Sequence, residues 1–143
     1  MSQVELNTSI GYLLKQTTSA LHAHMEAVLR PLGVTITQYS CLELLAQRPG
    51  MSNSELARGT FVTRQSMNVL LQAMEKDGLI TRAEQPVAGR VLPTELTATG
   101  AALRTAASEA VRSVEARMTG ALDASDESRL RELLSRCEAA LAR

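Results

Sequence analysis

Aromatic residues are nearly missing: the chain has no tryptophan, two tyrosines and one phenylalanine, 2% of its residues. An enzyme accessory organised round a pocket of stacked rings therefore finds little support. Cysteine is equally scarce. Cys41 and Cys137 stand far apart, at no spacing used by zinc ligands, and in a reducing compartment they read as small packed apolar residues rather than as a disulfide. No sign of charge is in excess, since 15 Lys and Arg balance 15 Asp and Glu. The bulk charge thus does not announce a nucleic-acid partner as a strongly basic domain would. No apolar run approaches the roughly 20 residues of a membrane span, and the segment Met1 to Asn7 lacks the charged and apolar regions of a signal peptide. The expected location is the cytoplasm, with no membrane partner. Nucleophile elbow, phosphate loop, metal-ligand helix pair and a convergent set of histidine with acid are all missing, so the reading is of no enzyme, no cofactor and no metal site.

What is there is a chain that should fold. Its 143 residues, 45% hydrophobic and 21% charged, fit one compact domain and are too few for two independent cores. From Ile10 the apolar positions Leu13, Leu14, Leu21, Met25, Val28, Leu29 and Leu32 keep helical spacing until Pro31 and Gly33 end it. Thr35 with Gln38 is a capping box that opens a second helix, in which Tyr39, Leu42, Leu45 and Ala46 share a face up to Pro49-Gly50. Ser52 with Glu55 repeats the device and starts a short third helix through Leu56 and Ala57, which Gly59 and Thr60 interrupt. Thr63 then caps a fourth. Two short helices joined by a tight turn signal a helix-turn-helix.

In the fourth helix Met67, Leu70, Leu71 and Met74 recur at core-facing spacing, which turns Gln65, Asn68, Val69 and Gln72 outward. Asp77-Gly78 ends it. Leu79 to Arg82 and Val91 to Leu96 read as two extended segments around a loop with Pro86 and Gly89, a hairpin with a long tip. Thr97 caps a fifth helix with an apolar stripe of Ala102, Leu103, Ala106, Ala110, Val111, Val114 and Met118. Ser125 with Asp126 and Glu127 starts a sixth that carries Leu130, Leu133, Leu134, Cys137 and Leu141. The fold class is therefore mainly α with a small β-hairpin, a winged helix-turn-helix over 35–97 flanked by helices over 8–33 and 98–143. A central unit of about 60 residues has only a marginal core, and the flanking helices carry more apolar stripe than it can cover. A second copy of the chain is the economical cover, and a two-fold reader matches a two-fold DNA site.

The stretches LGVTITQYSCLELLAQRPGMSNSELA (Leu32 to Ala57), FVTRQSMNVLLQAMEKDGLITR (Phe61 to Arg82) and GRVLPTELTATG (Gly89 to Gly100), in this order, resemble the MarR family of bacterial regulators. The resemblance covers nearly the whole chain, 1–143, as a single domain. It implies a homodimer joined by the terminal helices, a recognition helix from Thr63 to Lys76 that enters the major groove of double-stranded DNA, and a wing arginine, Arg90, that reaches a minor groove. It also implies a repressor that leaves an inverted-repeat operator when a small-molecule effector binds between the dimer helices and the reading heads. The commoner family wing has an aspartate two residues before that arginine and a basic residue between them, where this chain has Ala88 and Gly89.

Side-chain chemistry bears on each candidate. Gln65 and Asn68 carry amides able to pair with adenine N6 and N7, and a mid-helix asparagine has a cost in helix propensity with no capping benefit. Thr63, Arg64 and Ser66 lie where a phosphate or base edge comes within reach, Val69 suits a thymine methyl, and Gln72 extends the outward face. Arg90, beside Gly89, has the freedom to enter a narrow, electronegative groove. From Ser52 to Thr97 the bases Arg58, Arg64, Lys76, Arg82 and Arg90 are matched in number by Glu55, Glu75, Asp77, Glu84 and Glu95, so affinity must rest on placement. The rival reading is a winged-helix protein-interaction module without DNA binding, which such neutral charge permits. His22 and His24, with Tyr12 and Tyr39, are candidates for lining an effector pocket; two residues apart on a helix, the histidines point to different faces and do not suit a metal. Cys41 has no basic neighbour in sequence to lower its pKa, which favours a packed cysteine over a redox sensor.

Overall fold

A computed structural model describes residues 3–83 and 93–142. Six α-helices and one two-stranded sheet follow in the order α1 (Ile10–Leu29), α2 (Ile36–Gln47), α3 (Asn53–Thr60), α4 (Arg64–Lys76), β1 (Ile80–Arg82), β2 (Thr94–Leu96), α5 (Ala98–Met118) and α6 (Ala124–Leu141). The order and type of these elements agree with the sequence reading, and the expected wing residues from Glu84 to Leu92, Arg90 among them, lie outside the described residues.

The helix starts are fixed by side chains, as the sequence spelled out. Thr35 Oγ1 accepts from the Gln38 amide at 3.1 Å while Gln38 Oε1 accepts from the Thr35 amide at 2.9 Å. Ser52 and Glu55 do the same at 3.1 and 3.0 Å. Each box satisfies donors that the first helical turn leaves unpaired. Single caps at Thr63 and Thr97 open α4 and α5. The α6 cap is Asp123, whose carboxylate accepts from the Asp126 amide at 2.8 Å, rather than Ser125. An aspartate two residues earlier brings both a capping oxygen and a charge suited to the helix dipole.

Leu29, Leu42, Leu45, Leu56, Met67, Leu71, Met74 and Ile80 are the largest fully buried apolar side chains. They draw α1, α2, α3, α4 and β1 into one core, against which α5 lays Ala107, Val111 and Val114. The α5 stripe agrees with the expected one at Val111 and Val114, which are buried, and at Leu103, which packs against the core, but Ala102, Ala106 and Met118 are exposed while Gly100 and Ala107 are buried. In so alanine-rich a helix two stripes have nearly equal apolar weight, and packing chooses between them.

The sheet pairs Ile80 with Leu96, Thr81 with Glu95 and Arg82 with Thr94, antiparallel. An isolated bridge joins Met51 to Thr94 on its other edge, so the segment before α3 is tied to the base of the wing. α3 runs on through Gly59 to Thr60 and ends at Phe61, which takes a left-handed conformation at φ 62°. The Phe61 amide donates to Arg58 at 3.3 Å and the Val62 amide to Ala57 at 3.1 Å, which closes the turn into α4.

Candidate nucleic-acid interface

α4 divides its side chains sharply. Met67, Leu71 and Met74 are buried, while Arg64, Gln65, Ser66, Asn68, Val69 and Gln72 are exposed together with the cap residue Thr63. Every candidate reader on this helix therefore lies on the outward side, and an exposed Val69 has no packing role in the single chain. At the helix start Thr63 Oγ1 accepts from the Ser66 amide at 3.0 Å and donates to Ser66 Oγ at 3.0 Å. Asn53 Nδ2 donates to the Arg64 carbonyl at 3.3 Å, so α3 and α4 are tied at the end that presents the readers.

Asn68 is not free. Arg82 Nη1 donates to Asn68 Oδ1 at 3.3 Å, and Arg82 Nη2 donates to Glu75 Oε1 at 3.4 Å. In the sequence Arg82 stands out only as one of five balanced basic residues between Ser52 and Thr97. The sole signal for it was Glu75, seven residues after Asn68 and so near it on the helix surface, facing a strand that follows a two-residue stop.

Behind α4 a second polar cluster ties α2 to α5. Arg104 Nε and Nη2 both reach Glu43 Oε1 at 2.7 Å, and the Tyr39 hydroxyl donates to Glu43 Oε2 at 2.6 Å. Burial disfavours the charge on Glu43, but the hydrogen bonds from Tyr39 and Arg104 outweigh it and hold its carboxyl below the usual range. Burial, then the Glu43 carboxylate, push the Tyr39 phenol well above its ordinary value.

Cys41 is fully buried, with its Sγ donating to Met67 Sδ at 3.6 Å, and burial pushes its thiol up to about 12. It is a packing residue, as expected. Cys137 is exposed on α6, against the expectation of burial; it shares the outward α6 face with Leu130, Leu133, Leu134 and Leu141, all exposed in the single chain.

A cavity of about 200 Å³ opens between α1 and α5, with Leu21, Val114 and Met118 among its walls and Thr17, His24 and Arg117 as its polar groups. Arg117 Nη1 lies 3.5 Å from His24 Nδ1. His22 lies apart, in a separate groove with Lys15 and Thr18. No described helix is long and apolar enough to cross a membrane.

Comparison with known proteins places these features in a wider set. The sequence profile described as MarR family matches residues 32–91. The HTH-type transcriptional repressor Rv2887 of Mycobacterium tuberculosis is 39% identical over 127 residues, 89% of this chain and 91% of its own length. The homoprotocatechuate degradative operon repressor of Escherichia coli is 30% identical over 118 residues, 80% of each chain. Among solved structures, Rv2887 in complex with DNA superposes with a TM-score of 0.74 at 35% identity, over 91% of this chain and 98% of that one. The same protein has been solved with salicylic acid, at a TM-score of 0.74 and 38% identity over 91% of this chain and 96% of that one. NadR in complex with 4-hydroxyphenylacetate gives a TM-score of 0.80 at 26% identity, over 96% of this chain and 97% of that one.

Proposed function

The chain belongs to the MarR family, and on that premise we propose that it is a DNA-binding, ligand-responsive transcriptional repressor that acts as a homodimer on an inverted-repeat operator. The observation that carries this reading is the exposed row on α4, seated on a fully buried apolar face and capped at Thr63. A rigid helix that spends amides, a hydroxyl and a valine on solvent has the donor, acceptor and methyl complement of a major-groove edge. Rv2887, solved with DNA, supports it. Residues 35–97 form the reading part, and 8–33 with 98–143 the assembly part. Thr63, Arg64, Gln65, Ser66, Asn68, Val69, Gln72 and, on the wing, Arg90 are the residues assigned to DNA, and the cytoplasm is the compartment where such a protein works.

Helix and wing divide the labour. Asn68→Ala is expected to lose about 1–3 kcal/mol of discrimination at one base pair per half-site, because a base-edge contact depends on sequence. Arg90→Ala is expected to weaken all sites more evenly and to lower the magnitude of the salt slope by about one per subunit, because an arginine in the minor groove acts through charge and groove shape. Footprinting with selected-site sequencing reads both. Equal, salt-independent losses for the two variants would contradict the division, and a protein that binds no duplex at low salt would leave the interaction-module reading in its place.

The α1–α5 cavity supports an effector of defined size and charge. An apolar cavity of about 150 Å³ takes up a benzene ring, so one of about 200 Å³ suits a single substituted ring. Arg117 offers the planar donor pair that matches a carboxylate. Salicylic acid and 4-hydroxyphenylacetate, bound in Rv2887 and NadR, are single rings carrying one carboxylate. Arg117→Ala is expected to weaken salicylate binding by about tenfold or more, the worth of one hydrogen bond to a charged group, while operator affinity without salicylate stays unchanged. Calorimetric titration that finds equal salicylate affinity in the variant would remove this cavity from consideration.

A further inference from the structure

The contact between Arg82 and Asn68 bears on what α4 can read. A carboxamide on a solvent-exposed helix face can turn half a revolution and present either its oxygen or its NH2, two opposite messages to a base edge. A guanidinium carries donors only, so it holds the oxygen and never the nitrogen. Arg82 stands at the end of β1, its side chain 19% exposed, and its other donor is anchored on Glu75 at 3.4 Å. It is thus a braced, largely covered donor that meets Asn68 Oδ1 from the protein side at 3.3 Å. With the oxygen engaged there, Nδ2 is the group turned away from Arg82.

We propose that Arg82 is a positioning residue for base reading, holding the Asn68 carboxamide with its NH2 toward the major groove so that the recognition helix rejects cytosine at one position in each half-site. The chemistry follows from the donor and acceptor pattern of the groove. Adenine and guanine present N7, guanine adds O6 and thymine presents O4, all acceptors that an NH2 can bond; cytosine presents its N4 amino group, a donor that an NH2 cannot. The inference rests on the reading that α4 enters DNA. It adds a sign to the contact: Asn68 acts as a donor, and a residue outside the interface determines that.

The pair Arg82 and Glu75 gives little stability by itself, since Glu75 is 44% exposed and the ion pair is solvent-screened. An arginine retained only as a phosphate anchor would act evenly on every sequence and through salt. An arginine that orients Asn68 acts at one base pair and through Asn68 alone. The two roles therefore separate in one experiment.

Wild type, Asn68→Ala, Arg82→Ala, Arg82→Lys and the double variant Asn68→Ala with Arg82→Ala are put through selected-site sequencing, then competition binding on duplexes differing only at the position that Asn68 reads. Wild type is expected to bind the cytosine duplex about tenfold or more below the best base, the scale of one lost base contact. Arg82→Ala should lose most of that penalty, and the double variant should be no more permissive than Asn68→Ala. Arg82→Lys keeps a donor-only head and should keep the penalty. Arg82→Gln stands in should the alanine variant melt before binding is measured; its amide no longer forces the oxygen inward, so the penalty should fall there too. A cytosine penalty that survives Arg82→Ala or Arg82→Gln overturns the proposal, as does an even loss on all four duplexes with a flatter salt dependence. Wild type that binds no duplex would remove the DNA reading itself, whereas wild type that selects bases beside a variant with unchanged selection removes the Arg82 role alone.

Discussion

Replacing Leu133 and Leu134 together by aspartate is expected to turn the protein into a monomer and to abolish operator binding at concentrations where wild type saturates its site. In the single chain these leucines are 41% and 40% exposed, beside Leu130 and Leu141 on the same helix, and α6 buries none of its residues. The N-terminal half of α1 is in the same condition, with Ile10, Leu13 and Leu14 exposed. Helices of this length with an apolar face and no cover are assembly surfaces. Covering the exposed remainder of each leucine contributes roughly 1 kcal/mol by area, and a two-fold interface counts each twice. Losing about 4 kcal/mol weakens association about a thousandfold, before the added cost of bringing carboxylates into an apolar contact. Two heads on one rigid dimer bind an inverted repeat with an avidity that can exceed a single head by 10²–10⁴, roughly, so the monomer should fail on DNA although its reading helix is intact. Sedimentation at micromolar concentration and a gel shift read the two effects. A wild type that sediments as a monomer would remove the dimer, and an aspartate variant that remains a dimer would place its interface elsewhere.

Gly100→Ala is expected to destabilise the fold by about 3 kcal/mol, the upper end of overpacking costs, and to lower Tm by roughly 10 °C. The first turn of α5 sits directly on the entry to β1. Thr97 Oγ1 donates to the Gly78 carbonyl at 2.6 Å and the Thr97 amide to the Leu79 carbonyl at 3.1 Å. A Cβ on Gly100 would fall on that Leu79 carbonyl oxygen, far inside van der Waals contact, and 3.3 Å from Leu96 Cδ2. Both obstacles belong to the hairpin, so the wing must shift or the helix must lift. Gly11→Ala is the matched control: its Cβ would meet only Ser9 Oγ, at 3.9 Å, on an exposed helix, and it should gain up to about 1 kcal/mol from helix propensity. Thermal melts of both variants check the contrast; a Gly100→Ala protein that melts with wild type would show that the hairpin yields at no cost.

The elements were legible because local chemistry writes them. Capping oxygens at Thr35, Ser52, Thr63 and Thr97, stops at Gly33 and Gly78, and the 3.6-residue period of Met67, Leu71 and Met74 are all read within one or two turns of chain. The outward face of α4 followed from the inward one. What stayed hidden depends on distant contacts. Arg82 reaches Asn68 only because β1 folds back along α4, and no spacing within the chain encodes that approach. On α5 the branched residues Leu103, Val111 and Val114 mark the inner face, but the alanines do not, because alanine contrasts weakly with both core and solvent. Cys137 is exposed against the expectation of burial, because among the described residues α6 buries none of its own.

One further property is kinetic. α3 and α4 meet through neighbours in sequence, such as Asn53 and Arg64, 11 residues apart, whereas α1 and α5 meet across 93 residues at His24 and Arg117. Closing a loop that long costs more chain entropy than forming a helical turn pair, and non-local contacts slow the search for the native state. The segment proposed to read DNA is therefore expected to gain structure while the nascent chain still lacks α5, and the segment proposed to join two copies to be ordered only when both ends of one copy have met. Order of assembly is thus expected to run from head to handle, so a half-made chain would present α4 before it has the helical surface proposed to capture a partner.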